Sequence, residues 1–235
     1  MTPPRNVALR YPAAVILDLD GTLVDTVEAR IEAWIDALQR AGIRATRATV
    51  GRRIGMDGQR LAAELARLAG VAVDEAGVAR IDRDAGEAFA RLNTEPRTLA
   101  GAHELFGALE RDRIPWAIAT SSRREQVSAS VGALRLATPP AIVDGATVRK
   151  AKPAPDLLLA AARVLGADAR DCWAIGDSIW DIRAAKAAGM AAIAVSAGSY
   201  LTGPALAAAG SDATVDTLAG VVGLIDASRT LIGPG

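Results

Sequence analysis

Short apolar runs alternate with longer amphipathic segments along most of the chain. Each short run is continuous enough to be a buried strand, and most of the segments between them have the periodicity of helices. This alternation is typical of α/β proteins, in which a parallel sheet carries helices on both faces. The predicted strands cover residues 14–17, 116–119, 141–143, 172–175, 192–195 and 213–215.

One segment departs from this alternation. Between residues 26 and 93 no apolar run has the character of a strand, and three apolar stripes have helical spacing instead. Pro96 and Gly101 mark the return to the alternating pattern. We therefore expect a helical domain of residues 26–93, inserted into a core domain of residues 1–25 and 94–235.

The net charge of the chain limits the classes of molecule that it is expected to bind. The 27 lysines and arginines balance 27 aspartates and glutamates, so no basic excess suggests binding to nucleic acid or to an anionic membrane. No apolar run reaches the ~18 residues that a membrane span needs. We expect a soluble, cytoplasmic protein whose partner is a small molecule.

The chain has one cysteine and one histidine. Cys172 lies in a predicted strand and is expected to be buried, so the chain can form neither an internal disulfide nor a cysteine metal cluster. His103 lies on a helix predicted over residues 102–111 and is expected at its surface. Mechanisms that need two histidines are excluded.

Polar side chains follow several predicted strands at the point where each strand ends. Ligands of open parallel sheets bind beyond the carboxyl ends of the strands, so these side chains are candidates for one site. Asp18 and Asp20 are two residues apart and can point the same way. Carboxylates, a lysine and hydroxyl groups suit a divalent cation together with a phosphate. The candidates are Asp18, Asp20, Thr120, Ser121, Ser122, Lys152, Asp177 and Ser178.

Each candidate also has a structural interpretation. Ser122 with Glu125, and Ser178 with Asp181, fit capping boxes at helix N-termini. A lysine such as Lys152 is most often a solvated surface residue. Each of these interpretations stays open by itself, but the coincidence of all the groups at one sheet edge favours a functional site.

Four segments resemble the four motifs of the haloacid dehalogenase superfamily. They are DLDGTLVDT, AIATSS, AKPAPD and GDSIWDIRAAKAAG, in the order and with the spacing of that family. The resemblance covers nearly the whole chain and implies a Rossmann-like core with an inserted α-helical cap. The helical insertion after the first strand is similar to the cap of the branch that includes phosphoglycolate phosphatase and beta-phosphoglucomutase. One departure is Ala151, where many relatives have glycine before the lysine.

The resemblance implies a covalent mechanism. Asp18 would be the nucleophile that forms an aspartyl-phosphate, and Asp20 would be the general acid and base. A carboxylate is repelled by a phosphate dianion, so catalysis by this route needs positive charge at the site. The predicted activity is Mg²⁺-dependent hydrolysis of a small-molecule phosphate monoester.

The resemblance also assigns the groups that supply and hold this charge. Thr120 and the backbone of Ser121 would bind the phosphoryl group, and Lys152 would neutralise it. Mg²⁺ would be held by Asp18, Asp177 and the carbonyl of Asp20. Asp181 would lie next to these ligands and hold them in position without binding the metal ion itself.

Several other activities occur on the same motifs. Dehalogenases and phosphonatases of this family lack the second aspartate, whereas Asp20 is present here. A beta-phosphoglucomutase-like phosphotransferase stays an alternative, as does a non-catalytic protein that binds a phosphate ligand. In the mutases a histidine of the first cap helix assists proton transfer. The matching residue here is Arg30, whose guanidinium stays protonated and which favours hydrolysis.

The cap is expected to select the substrate, a small phosphorylated metabolite whose identity the sequence leaves open. Four cap arginines could meet a substrate carboxylate or second phosphate, although arginines are more often solvated. They are Arg30, Arg52, Arg53 and Arg60. Trp180 either forms a wall of the site or packs against the adjacent helix.

Overall fold

The structure is a computed structural model that describes residues 9–230. The predicted core domain also includes residues 1–8 and 231–235, which lie outside the described residues. None of the helices between residues 9 and 230 is long and apolar enough to cross a membrane.

The secondary-structure elements are named in chain order. The strands are β1 (Ala14–Leu17), β2 (Val24–Asp25), β3 (Arg97–Thr98), β4 (Trp116–Ala119), β5 (Ala141–Val143), β6 (Cys172–Gly176), β7 (Ala191–Val195) and β8 (Ala213–Val215). The helices are α1 (Val27–Arg40), α2 (Arg47–Gly51), α3 (Gly58–Leu68), α4 (Glu75–Leu92), α5 (Ala102–Arg111), α6 (Ser128–Ala133), α7 (Asp156–Val164), α8 (Ile179–Ala188), α9 (Gly203–Ala208) and α10 (Leu218–Thr230).

A parallel sheet lies at the centre of the molecule, with its strands in the order β5-β4-β1-β6-β7-β8. In the register of the central strands, Ile16 of β1 is opposite Ala117 of β4 and Ala174 of β6. The chain winds from β1 to one side and later continues from β6 to the other. The carboxyl ends of β1, β4 and β6 therefore flank the point where the winding reverses, which is where open sheets bind ligands.

Helices cover both faces of this sheet. Val15 and Leu17 share one apolar cluster with residues of α5 and α10, whereas Ala14 and Ile16 share another with residues of α7 and α8. Successive side chains of a strand point to opposite faces, so β1 must be apolar at every position. The predicted α/β fold, with helices on both faces of a parallel sheet, is confirmed.

The helices α1 to α4 form the predicted insertion between early strands. Their apolar faces have a core of their own, which includes Ile31, Leu61 and Ile81. Asp57 and Asp74 begin α3 and α4 by accepting backbone N–H groups in the first turn. The sequence showed three apolar stripes, and the additional helix is α2, whose five residues are too short for a period.

The two chain crossings between the sheet domain and the insertion lie side by side. β2 and β3 pair antiparallel, with Val24 opposite Thr98 and Asp25 opposite Arg97. These two-residue strands were not predicted, because so short a segment has no recognisable alternation. The limits of the helical domain at residues 26 and 93 stay a prediction.

The predicted strands agree closely with those in the structure. Four have the predicted limits, and β6 and β7 are each one residue longer than predicted. The helix predicted over residues 102–111 is α5. Cys172 is buried and His103 is exposed, as expected.

Candidate active site

The carboxyl end of β1 begins the candidate site. Asp18 directly follows the strand, and its backbone N–H donates to the carbonyl of Ile175 in β6 at 2.9 Å. Gly21 then turns the chain with a φ of 84°, a conformation that glycine adopts without strain. A Cβ at residue 21 would lie 2.5 Å from Oδ2 of Asp177. Glycine is therefore needed for the close approach of these two strand ends.

Three buried carboxylates meet at this edge of the sheet. Asp18, Asp177 and Asp181 each offer an oxygen atom, and these atoms lie within 4.8 Å of one another. Asp177 follows β6 and accepts a hydrogen bond from Oγ1 of Thr22 at 3.1 Å. Asp181 forms the predicted capping box with Ser178 at the start of α8. One carboxylate thus caps a helix and also belongs to the acidic cluster.

Lys152 is the cation of this acidic cluster. Its side chain is 1% exposed, so the interpretation of Lys152 as a surface residue is wrong. Its Nζ contacts the Asp18 carboxylate, lies 2.7 Å from Oδ1 of Asp181, and donates to the carbonyl of Ala119 at 2.9 Å. These three partners match the three N–H donors of an ammonium group.

Burial changes the pKa values of the groups in this cluster. It raises the pKa of Asp18 to about 7, although Lys152 opposes the change. Burial and the carboxylates of Asp181 and Asp18 raise the pKa of Asp177 well above its usual range. Burial by itself would lower the pKa of Lys152, but Asp18 and Asp181 outweigh it and raise that pKa. The lysine stays charged, and the acidic groups favour additional positive charge beside them.

The donor set fits a magnesium ion. When deprotonated, the three carboxylates share one lysine and leave an excess of negative charge in a buried place. Mg²⁺ prefers oxygen ligands and usually takes one or two carboxylates together with water. The raised pKa values of Asp18 and Asp177 have this excess charge as one cause. The acidic cluster is typical of the magnesium site of this kind of fold.

Asp20 is held by two groups of the insertion. Its Oδ1 accepts a hydrogen bond from Thr26 at 2.8 Å, and its Oδ2 lies 2.6 Å from a guanidinium nitrogen of Arg30. Arg30 stacks over the ring of Phe89, 3.5 Å from its centroid. This packing fixes a guanidinium in the insertion against a carboxylate of the sheet domain.

Thr120 and Ser121 follow β4, next to β1 in the sheet. Thr120 is buried, and its hydroxyl accepts the backbone N–H of Ser122 at 3.2 Å. Ser121 donates to the carbonyl of Gly55, a residue of the insertion, at 3.2 Å. Both residues line the same cavity as Asp18.

The predicted capping box between Ser122 and Glu125 is wrong. The short helical turn of residues Arg124–Gln126 is preceded by Arg123, whose backbone N–H donates to the side chain of Gln126 at 2.9 Å. The hydroxyl of Ser122 instead lies 2.6 Å from Arg30 and 3.3 Å from Oδ2 of Asp20. The turn begins one residue later than predicted, which leaves Ser122 to contact the site.

A cavity of about 130 Å³, the active-site cavity, lies between the sheet edge and the insertion. It is small beside the ~300–1,000 Å³ pockets that hold drug-sized ligands. The sheet domain and its loops contribute Asp18, Asp20, Thr120, Ser121, Ser122, Arg123, Gln126 and Gly145. The insertion contributes Arg30, Trp34, Ile54, Gly55, Met56, Asp57, Gly58, Gln59, Leu61, Asp82 and Gly86.

Of the four cap arginines singled out in the sequence, the structure brings one to this cavity. Arg30 lines it. Arg52 and Arg60 are exposed, and Arg53 forms an ion pair with Glu64 at 2.8 Å. These three flank the segment 54–59, whose residues line the cavity.

Sequence reasoning missed several polar residues of the cavity wall. Asp82, Arg123 and Gln126 lie on helices or turns of ordinary amphipathic character, and no motif distinguishes them from solvated residues. Their position depends on how the insertion packs over the sheet edge. The buried residues Ile81 and Phe89 have helical spacing, so the sequence could predict that Asp82 lies on a helix. It could not predict that Asp82 lies on the side of this helix that faces the site.

Trp180 packs at the contact between α8 and the insertion. It is buried and belongs to the apolar cluster of the insertion, with Ile54 and Met56 among its members. Its indole N–H has no hydrogen-bond partner among residues 9–230. The packing interpretation of Trp180 is the one that fits these contacts.

Comparisons with known proteins agree with the motifs. A family model described as haloacid dehalogenase-like hydrolase matches residues 12–189. The probable phosphatase IndB of Dickeya dadantii is 34% identical over 219 residues, which cover 89% of this chain and 91% of that protein. The beta-phosphoglucomutase of Bacillus subtilis is 33% identical over 199 residues, or 81% of this chain and 86% of that protein.

The fold is also similar to solved structures. The crystal structure of a hydrolase from Pseudomonas syringae has a TM-score of 0.85 at 33% sequence identity. That similarity covers 91% of this chain and 97% of the other. Both the sheet domain and the helical insertion are therefore part of a shared architecture.

Proposed function

This chain belongs to the haloacid dehalogenase-like hydrolase family, and on that premise we propose that it is a magnesium-dependent phosphatase of a small phosphate monoester. The observation that carries the proposal is the position of Asp18. It stands at the end of β1, against Lys152 and within the cluster of three buried carboxylates. A carboxylate so placed can act as a nucleophile beside groups that offset the charge of a phosphate.

In the first step an oxygen of Asp18 attacks phosphorus and the bond to the ester oxygen breaks. Asp20 gives a proton to the departing alkoxide, and the product is an alcohol and an aspartyl-phosphate. Lys152 lies against Asp18 and offsets part of the negative charge that gathers there. Bound Mg²⁺, held by Asp18, Asp177 and the Asp20 carbonyl, would supply the remaining positive charge. Thr120 and Ser121 bind the phosphoryl oxygens.

In the second step Asp20 takes a proton from water, whose oxygen attacks phosphorus. The bond between phosphorus and the Asp18 oxygen breaks, and phosphate leaves with Asp18 regenerated. Thr26 and Arg30 contact both carboxylate oxygens of Asp20 and so fix its orientation. Asp181 positions Lys152 and is itself held by Ser178.

Phosphotransfer to a sugar is the second candidate, because the chain is similar to a beta-phosphoglucomutase. Arg30 argues for water as the acceptor. Its guanidinium is already paired with Asp20 at 2.6 Å and is too weak an acid to pass a proton. Incubation with beta-glucose 1-phosphate and a trace of glucose 1,6-bisphosphate separates the two: glucose 6-phosphate without free phosphate would indicate the mutase.

We further propose that residues 26–93 form a cap that opens and closes over the site. The contacts between Ser121 and Gly55, and between Arg30 and Asp20, join the insertion to the sheet domain across the cavity. The paired crossings β2 and β3 are the points about which it would turn. Closure would exclude water during the first step, when Asp18 is the nucleophile.

The test is release of phosphate from an aryl phosphate, with Mg²⁺ and with excess chelator. We expect turnover only with Mg²⁺, and none from Asp18→Asn, whose amide cannot form the acyl phosphate. Asp36→Asn, which changes an exposed carboxylate of α1, is the matched control and should keep the rate of the unmodified protein. Full activity in chelator would contradict the metal dependence. Binding of phosphate without turnover would indicate a non-catalytic protein.

A further inference from the structure

We propose that Asp82 selects the substrate: it accepts a hydrogen bond from a hydroxyl group on the alcohol part of a short polyol phosphate, and it disfavours esters that end in a carboxylate or a second phosphate. The inference rests on the proposed phosphatase function. It adds the chemical class of the alcohol, which the acidic cluster and the motifs leave open.

Asp82 faces the active-site cavity from α4 without a partner. It lines the cavity and is partly buried, yet it forms no hydrogen bond or ion pair with any other residue in the range 9–230. The other carboxylates of the cavity wall are all engaged: Asp18 by Lys152, Asp20 by Arg30, and Asp57 by the N–H of Arg60. A partly buried, unpartnered carboxylate is costly unless a ligand supplies the donor.

The position of Asp82 is fixed by close packing on Gly58. A Cβ at residue 58 would lie 1.9 Å from Oδ1 of Asp82 and 3.4 Å from the indole ring of Trp34. Any side chain there would displace the carboxylate. The glycine at the start of α3 therefore lets the Asp82 carboxylate lie against the helix end beside the cavity.

The surroundings of Asp82 disfavour a second anion. Burial is the main cause that raises the pKa of Asp82, and the carboxylate of Asp57 adds to it, whereas the guanidinium groups of Arg123, Arg30 and Arg83 oppose the change. Arg30, the nearest cation of the insertion to Asp20, is already paired with that residue. A substrate carboxylate at this end of the cavity would meet Asp57 and Asp82 together, and like charges at such a site repel.

The position of Arg123 favours a hydroxyl group over an ammonium group at this place in the substrate. It lines the same cavity and is the cation that most opposes the rise in the pKa of Asp82, but it forms no ion pair with it. A hydroxyl group can donate to Asp82 and accept from Arg123, whereas an ammonium group can only donate and a carboxylate can only accept. The small cavity suits a phosphoryl group on a short chain.

The experiment compares two esters that differ at one end only. Glycerol 3-phosphate ends in CH₂OH where 3-phosphoglycerate has a carboxylate, and both have three carbons. We expect the unmodified protein to favour glycerol 3-phosphate in kcat/KM by about tenfold or more. Asp82→Asn removes the charge and adds N–H donors that can receive a carboxylate, so this ratio should fall by about tenfold. Asp84→Asn, on the same helix but outside the cavity lining, should keep the ratio of the unmodified protein.

Each other outcome counts against the inference in a distinguishable way. An unchanged ratio in Asp82→Asn, with native circular dichroism, would overturn the role of Asp82 and leave the phosphatase proposal intact. A preference for 3-phosphoglycerate that Arg123→Gln abolishes would show that the cavity selects an anion instead. Turnover of an aryl phosphate without turnover of glycerol 3-phosphate would also overturn it. Absence of phosphate release from every ester would overturn the proposed function and this inference with it.

Discussion

The two ends of the active-site cavity are built in different ways. At the sheet end, Asp18 lines the cavity, and Asp177, Asp181 and Lys152 are buried next to it. Lys152 contacts both Asp18 and Asp181. At the cap end, Asp82 and Arg123 are more accessible and have no ion-pair partner among residues 9–230. The sheet end is a fixed arrangement that does not depend on the substrate's alcohol. At the cap end a ligand can supply the partners that these two charged groups lack.

This difference suggests that the residues of the reaction and the residues that select the substrate occupy different parts of the molecule. Groups that must act on every phosphate ester are held on strand ends, where the sheet fixes their positions within narrow limits. The groups proposed to meet the variable part of the substrate lie outside the strands, Asp82 on helix α4 of the insertion and Arg123 in a loop of the sheet domain. Side chains at such positions can be exchanged without disturbing the sheet. We expect substitutions at the sheet end to abolish turnover and substitutions at the cap end to redistribute it.

The largest effect is expected from Lys152→Met. It leaves three buried carboxylates without their cation, and breaking a buried charge pair in this way costs about 3–5 kcal/mol. Metal-free unfolding in urea at neutral pH should show this loss, together with a fall in kcat of about a thousandfold or more. Lys150→Met removes an exposed lysine two residues away and should change neither value. Equal stability of the two variants would mean that Lys152 does not compensate the cluster.

The next effect is a pH dependence of stability in the metal-free protein. Asp18 has a pKa of about 7 in the folded chain and 3.8 as its reference value, so the folded state binds its proton more tightly between these pH values. Its contribution to stability is therefore present below pH 4 and is lost as the pH rises through about 7. Over this whole pH range the loss should be of order 4 kcal/mol.

The measurement is the free energy of unfolding, in chelator, of the unmodified protein and of Asp18→Asn at pH 5 and pH 7.5. The variant should gain stability relative to the unmodified protein as the pH rises, because its amide does not titrate. Saturating Mg²⁺ should reduce this difference by stabilising the ionised carboxylates. A difference that does not change with pH would contradict the burial of an uncompensated charge.

A smaller effect is expected from loss of the ion pair that joins Arg30 of the insertion to Asp20 of the sheet domain. Arg30→Gln removes the ion pair with Asp20 and the stacking on Phe89, so kcat should fall by about 10- to 100-fold while Asp18 still forms the phosphoenzyme. Arg40→Gln, which breaks an exposed pair with Asp36 on the same helix, is the control and should be within about twofold of the unmodified protein. If both variants behave alike, the pairing of Arg30 with Asp20 has no part in turnover.

The smallest effect is expected from the exposed cap arginines that do not line the active-site cavity. Arg52→Gln and Arg60→Gln should change KM by less than about twofold and stability by less than about 0.5 kcal/mol, because both side chains are exposed. Steady-state kinetics with the preferred ester checks this. A tenfold rise in KM for either variant would show that the cap moves these arginines onto the substrate.

The same contrast explains what the sequence could predict. The strand limits and the convergence of Asp18, Asp20 and Asp177 at one sheet edge follow from local patterns, because a buried strand and the residue after it are adjacent in the chain. Asp82 and Arg123 could not be found in this way, because they are brought together by the packing of α4 over the turn after β4. Arg30 was found because the motif that begins at Asp18 fixes its place on the first turn of α1.

Ser122 and Lys152 show the limit of single-residue arguments. Each had an ordinary interpretation, as a helix cap and as a surface lysine, and the structure contradicts both. Both side chains contact carboxylates that follow β1, Ser122 that of Asp20 and Lys152 that of Asp18. These partners are far away in the sequence, so a short stretch around either residue does not predict the contact.

The most direct test of the proposed mechanism is to trap the covalent intermediate. The protein is mixed with substrate and Mg²⁺, quenched in acid, and reduced with borohydride, which converts an aspartyl-phosphate to homoserine. Mass spectrometry of the peptide that contains Asp18 and Asp20 should then find homoserine at position 18, and only when both substrate and Mg²⁺ were present. Phosphate release without modification, or modification at position 20, would contradict the assignment of Asp18 as the nucleophile.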